Sequence, residues 1–330
     1  MIPTNGMAVR WVVCILMLLP PLAIGKDKRQ QEAVALLAKA RELSDIRCQG
    51  CPPFRLKARV RLFEGVAMPV DGTYVLYWAS PGKWREDLRM PDYNEIRLGL
   101  GDEIQEKRPT RFRPGPLAWL LTHLDIGERL NELARSKIKD VKEWQVQRGL
   151  LVCADYQQER MRYLQRRCFL RDKGLLLHEE SPPEAYEYDE YTPFVGKLFP
   201  WKMARYVGGR LTDEMQITEL VVSPEWEAGL FDPMTGSDVH ETCRNPDAPR
   251  EVRGEFPSLP DNLMGDFTVT IEYVVGVDGL PRDVVVHASD PRIETFVLKG
   301  FSKSRFIPAK CKGVPIETQR VAEMKIHHEH

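Results

Sequence analysis

The sequence has almost no net charge: 47 basic residues against 48 acidic ones leave -1 at neutral pH. Without an excess of either sign, no long-range field draws the chain to nucleic acid or to an anionic membrane surface. Long apolar runs are also scarce. After residue 25 no stretch approaches the roughly 20 consecutive apolar residues that a membrane-spanning helix needs. Internal repeats are absent. So is a local nucleophile motif, because His123, His178, His240 and His287 stand without a nearby serine or cysteine in a recognisable pattern. "GLGDE" at Gly99–Glu103 lacks both the P-loop lysine and the spacing of a dinucleotide fold. The terminal "HHEH" carries ligand-type side chains, but at a free end without the surrounding groups that orient metal ligands. These absences lead us to expect a non-enzymatic protein with no cofactor, no metal and no nucleic-acid partner.

What is present begins at the N-terminus. Arg10 precedes "WVVCILMLLPPLAIG" (Trp11 to Gly25), and small residues stand before a charged "KDK". That reads as a secretory signal peptide over residues 1–25. The alternative is an uncleaved signal that anchors the chain in the inner membrane. The rest is expected to be exported to the periplasm or cell envelope. Seven cysteines occur, and setting Cys14 aside leaves six, an even number that suggests disulfides in an exported chain. Cys48 and Cys51 are close together in "CQGC". Cys153 and Cys168 lie on two runs that look like neighbouring strands. Cys243 and Cys311 remain, so the expected order is Cys48–Cys51, Cys153–Cys168 and Cys243–Cys311, among the 15 connectivities six cysteines allow.

A hydrophobic fraction of 43% supports an ordinary core. Ala33, Leu36, Leu37, Ala40 and Leu43 recur at helical spacing within residues 29–44, and Pro52 and Pro53 follow. In "FRLKARVRLF", Phe54, Leu56, Ala58, Val60 and Leu62 alternate with Arg55, Lys57, Arg59 and Arg61, which predicts a strand with one apolar and one basic face. The basic face reads as a solvated sheet exterior. Further short strands follow at 72–80, 82–90 and 94–108. A helical stretch at 115–136 carries Leu117, Leu120, Leu121 and Leu124, and then the meander resumes. The acidic "YEYDEY" at 186–191 is expected in a solvated loop. Many short strands with turn signals imply a curled antiparallel sheet. From Pro224 to about Asp261 the periodicity stops, which predicts a linker, placed at 235–261. Beyond it, Asp278-Gly279 separates two β-branched runs, a hairpin signal, since glycine takes the positive φ the turn needs.

Two resemblances follow from these patterns. "VTIEYVVGVDGLPRDVVV", then a helix, then "RFIPAKCKGVPI" resembles the TonB C-terminal domain, with Asp278, Gly279, Phe306, Pro308, Ala309, Gly313 and Pro315 as its anchors. Residues 26–234 resemble the LolA/LolB-type periplasmic lipoprotein carriers through a leading helix, a meander, an inserted helix, more strands and a final "LFDP". The chain is thus expected to be α+β: a LolA/LolB-like half-barrel sheet with covering helices over 26–234, and a small TonB-like α+β domain over 262–330. The first resemblance implies an exposed last strand that accepts a peptide, with Gln319, Val321, Glu323 and Lys325 along it. The second implies an apolar interior for a lipid or lipoprotein acyl chain, which Phe54, Leu56, Val60, Leu62, Tyr74, Leu76 and Trp78 would line. Alternation alone fits a filled core equally well. The expected function is an envelope protein that binds an apolar ligand and docks an envelope or outer-membrane protein. The alternatives are a TonB-type component coupling to outer-membrane receptors, and an interaction protein without a cavity. The anchor is short, and a whole β-domain stands where the TonB family has a long Glu/Lys-Pro spacer, which points to a binding module rather than to coupling.

Overall fold

The computed structural model describes residues 21–63, 69–109, 113, 117, 121, 124, 126–134, 136–157, 164–181, 184–223, 225–236, 239–243, 246–254, 259, 263–288 and 290–328. Most of the expected signal segment, Leu120, His123 and the last two residues of "HHEH" lie outside the described residues. Helix α1 (Pro21–Ser44) begins before the expected residue 29. It buries Ala33, Leu36, Leu37 and Ala40 along one stripe. The Cys48–Cys51 disulfide closes the turn behind it. Among the described residues no helix is long and apolar enough to cross a membrane.

The strands then follow as β1 (Phe54–Leu62), β2 (Val70–Ser80), β3 (Lys83–Met90), β4 (Tyr93–Leu100) and β5 (Glu103–Lys107). Helix α2 (Ile126–Leu133) interrupts. After it come β6 (Lys137–Val146), β7 (Gly149–Gln157), β8 (Gln165–Leu170), β9 (Leu175–Ser181) and β10 (Glu184–Asp189). A small hairpin, β11 (Thr192–Phe194) and β12 (Lys197–Phe199), precedes β13 (Lys202–Val207), β14 (Arg210–Val222) and β15 (Val239–Cys243). Thirteen of these form one sheet in the order β15-β5-β4-β3-β2-β1-β14-β13-β10-β9-β8-β7-β6. Every neighbouring pair is antiparallel. The alternation in β1 sets its register: Phe54, Leu56, Ala58 and Val60 are buried. Each large apolar side chain so buried contributes roughly 2 kcal/mol. The basic face is not left to water alone. Arg55 and Lys57 reach Glu219 at 2.6 and 3.3 Å, and Arg61 reaches Asp71 at 2.7 Å.

Several expectations need correction. The stretch 94–108 is two strands, with Gly101 and Asp102 turning between them. The acidic "YEYDEY" is not a loop. Its first part is β10, because Tyr186 and Tyr188 alternate inward while Glu187 points out. The expected linker contributes two strands, β15, which pairs with β5, and β16 (Arg250–Arg253). Both are short edge strands whose partners lie far away in sequence, so local pattern cannot announce them. The Cys243–Cys311 disulfide is not formed. Cys243 sits opposite Glu103 on β15, and Cys311 ends a separate small hairpin, so an even count did not fix the pairing.

The C-terminal module has its own core. Strand β17 (Gly265–Val275) lies between β18 (Pro281–Ala288) and the last strand. Helix α3 (Pro291–Phe301) follows, with Asp290 accepting from Arg292 N at 2.9 Å and proline in the first turn. It presses Ile293, Val297 and Phe301 onto Val269, Ile271 and Tyr273. Strands β19 (Arg305–Ile307), β20 (Ala309–Cys311), β21 (Val314–Ile316) and β22 (Thr318–His328) complete it. The aromatic ring of Phe306 stands 5.5 Å from Tyr273 and 6.1 Å from Phe301. Gly279 adopts φ +74°, and a Cβ there would meet Phe306 O at 2.0 Å. Strand β22 is terminal in its three-stranded sheet. The segment before the module is tied to it: β16 pairs with β19 in a separate two-stranded sheet, and Asp247 and Lys310 exchange backbone hydrogen bonds at 2.8 and 3.1 Å. Toward the large sheet, Lys312 reaches Asp102, in the turn between β4 and β5, at 3.2 Å.

Candidate binding site beneath the helices

The residues expected to line a cavity are brought together, but as packing. Phe54, Leu56, Val60, Tyr74, Leu76 and Trp78 are each at most 2% exposed. Leu62 is half-buried against the same cluster. Phe54 stacks on Trp78 with centroids 6.2 Å apart and meets Phe194 edge-on at 5.7 Å. Neither of the two clefts described below is lined by any of the seven.

On the same face of the sheet, alternation was broken by charge in a way the sequence did not reveal. Opposed residues on successive strands run Leu62, Asp213, Arg205, Tyr186, Glu179, Arg167 and Ala154, one from each strand from β1 to β7 in the order of the sheet. All but Leu62 are less than 9% exposed. Arg205 holds Glu184 at 2.6 Å and Asp213 at 3.1 Å. Thr212 Oγ1 donates to Asp213 at 2.9 Å. Arg167 pairs with Glu179 at 2.9 Å, and Arg129, from α2, pairs with the same carboxylate. Tyr188 donates to Glu179 at 3.3 Å. Burial and the neighbouring Arg129 pull the Arg167 guanidinium down to about 9. Nearer the other end of the sheet a second buried group forms. Arg97 bridges Glu86 at 2.8 Å and Glu106 at 2.9 Å, and Arg113 grips Glu95 at 2.6 Å. Burial raises the desolvation cost of the Glu86 carboxyl, but Arg97 and Arg47 more than offset it, so its pKa falls.

Helices α1 and α2 cover this face and leave a cleft of about 90 Å³ between them. Its walls are Val34, Leu37 and Ala38 from α1, and Leu130, Leu133 and Ala134 from α2 and its end. Ile138 and Tyr156 close its inner side. Arg41 donates to Asn131 at 2.9 Å across it from helix to helix. The helices meet where a Cβ on Gly127 would lie 2.8 Å from Asp45 Cβ, so only glycine allows that approach. The hydroxyl of Tyr156, Arg167 Nε and Arg129 Nη1 are buried with no hydrogen-bond partner.

A second, more open groove of about 560 Å³ lies between the β11–β12 hairpin and the turns of the β6–β9 strands. Leu170, Leu175, Leu177, Tyr191 and Leu198 line it, and the Arg148–Asp189 ion pair, at 2.6 Å, stands at its rim. Among the described residues no group of three or more His, Cys, Asp or Glu could hold a metal.

Of the expected peptide-accepting edge, Gln319 is engaged within the chain: it accepts from Arg113 N at 3.2 Å and donates to Arg113 O at 3.1 Å. Val321 is half-buried, and Glu323 and Lys325 contribute backbone to the β17–β22 ladder.

No family model matches the chain, and no curated protein matches it. Among solved structures it is similar to a LolA superfamily protein, NE2245 from Nitrosomonas europaea, at 12% identity and TM-score 0.42, covering 60% of this chain and 96% of that one. It is also similar to a DUF1329 family protein from Desulfovibrio piger ATCC 29098, at 10% identity and TM-score 0.44, covering 61% and 96%. A third similarity, to MucB in complex with MucA(peri), has 15% identity and TM-score 0.27 and covers 82% and 97%.

Proposed function

We propose that this chain is an exported, non-catalytic protein of the cell envelope that takes up a lipid or lipoprotein acyl chain between α1 and α2. The observation that carries the reading is the apolar cleft between the two helices, walled by Val34, Leu37, Leu130 and Leu133. It lies over the face where the sheet buries its largest cluster, so parting the helices would extend it onto apolar side chains. The TonB-like C-terminal module supplies the docking part. Strand β22 is terminal in its sheet, and an extended peptide of an envelope partner adds beside it, away from Gln319.

A second reading is favoured by the complete burial of Phe54, Leu56, Tyr74 and Leu76: an interaction protein whose first domain is solid. A photoreactive fatty acid separates the two. Crosslinks on residues 34–41 and 130–138 support uptake between the helices. Crosslinks confined to 170–198 move the site to the outer groove, and none at all favour the solid domain.

A further inference from the structure

Several buried side-chain donors beside the inner wall of the cleft have no hydrogen-bond partner. Tyr156 and Arg167 stand on adjacent strands, since Tyr156 faces Gln165 and Arg167 faces Ala154. They share one side of the sheet and are offset by two residues, within reach of long side chains. Arg129 comes down from α2, with its guanidinium 5.5 Å from the Tyr186 ring centroid. Two guanidiniums share the single carboxylate of Glu179. Arg167 Nη1 also donates to the carbonyls of Arg166 and Glu180 at 2.9 and 3.3 Å, whereas Arg167 Nε, Arg129 Nη1 and the Tyr156 hydroxyl have no hydrogen-bond partner. Tyr156 is 1% exposed and Arg167 2%, so bulk water does not serve them. Burial raises the Tyr156 phenol far above its ordinary range, so it stays a donor at any physiological pH. The neighbouring Arg205 group has the opposite make-up, one guanidinium donating to two carboxylates, Glu184 and Asp213. Unpartnered donors and a second guanidinium on one carboxylate therefore lie beside Tyr156, which is the one of the three that lines the apolar cleft.

We infer that Tyr156, Arg167 and Arg129 form the head-group site for a single-chain amphiphile with an oxyanion head, its hydrocarbon lying in the cleft between α1 and α2. A carboxylate or a phosphate monoester would accept from all three donors at once, and charge-assisted hydrogen bonds of this kind are the strong ones. The inference rests on the reading that the cleft takes a ligand, and it adds the chemistry of the head.

The test uses the full exported chain and fluorescence titration with cis-parinaric acid, beside its methyl ester. The acid is expected to bind at least tenfold tighter than the ester, because only its head carries the charge. Tyr156→Phe is the informative variant. It removes a hydroxyl that has no partner, so the thermal midpoint should not fall, while affinity for the acid drops roughly tenfold and the ester is unaffected. Competition by laurate and by lauroyl lysophosphatidate then tells a carboxylate from a phosphate source. Equal affinities for acid and ester, or an unchanged ratio in Tyr156→Phe, would overturn the head-group site and leave the cleft reading standing. Failure of both probes to bind would remove the cleft reading as well.

Discussion

Gln319, on the last strand, closes two hydrogen bonds with the backbone of Arg113, 206 residues earlier in the chain. Arg113 is itself held by Glu95, a carboxylate buried at 3% exposure in the large sheet. One amide thus fixes the C-terminal module to the ionic group of the first domain. Gln319→Ala removes both bonds at a cost of roughly 1 kcal/mol each. The module should loosen, and the stretch 244–262 should be cut faster by a protease. An unchanged cleavage rate would show that the staple carries nothing.

Gly279 tests the hairpin. Its φ of +74° and the approach of Phe306 O leave no place for a side chain. Gly279→Val should cost ~3 kcal/mol from backbone conformation alone, with the clash in addition. The C-terminal module should lose its cooperative melt in circular dichroism while the large sheet keeps its own. A wild-type melt would reject the turn assignment.

The Cys153–Cys168 disulfide joins directly opposed residues of β7 and β8, with Cα atoms 3.9 Å apart and a sequence separation of 15. Cys153→Ser should lower stability by ~3 kcal/mol through the freed loop. Cys168 should then react with a thiol reagent in urea without reductant. If it does not, the pairing is different.

His178 gives a pH dependence. Burial lowers its pKa below the ordinary 6.5 against the opposing pull of Glu180 and Glu187, and Arg166 and Arg167 add to the lowering. The unfolded chain therefore takes up the proton first. Above pH 6.5 the group contributes no slope, and as pH falls through 6.5 stability declines until the folded pKa is passed. Urea midpoints at pH 7 and pH 5 should differ more for the wild type than for His178→Gln. Parallel shifts would contradict the assignment.

What the sequence made legible was whatever repeats locally. The alternation of β1, the stripe of α1 and the Asp278-Gly279 turn all depend on neighbours within a few residues, and all lie where they were expected. The order strand, turn, strand, helix, strand of the C-terminal module was legible for the same reason. Strands β15 and β16 were not, because each is stabilised by a partner distant in sequence. The buried charges were missed for a related cause. Arg167 and Glu179 look like solvent-facing residues in their own strands, and only the register across β8, β9 and β10 places them opposite one another on the covered face. Tyr186 and Tyr188 carried a usable signal, since their spacing of two was a strand period hidden by acidic neighbours.

The central claim is that the cleft between α1 and α2 holds a lipid, and native mass spectrometry of residues 26–330, purified from the periplasm without detergent, tests it most directly. The account predicts a mass excess equal to a single-chain lipid that disappears on organic extraction and returns when the extracted protein is incubated with that lipid. A bare polypeptide mass, both as purified and after incubation with fatty acid or lysophosphatidate, would contradict it.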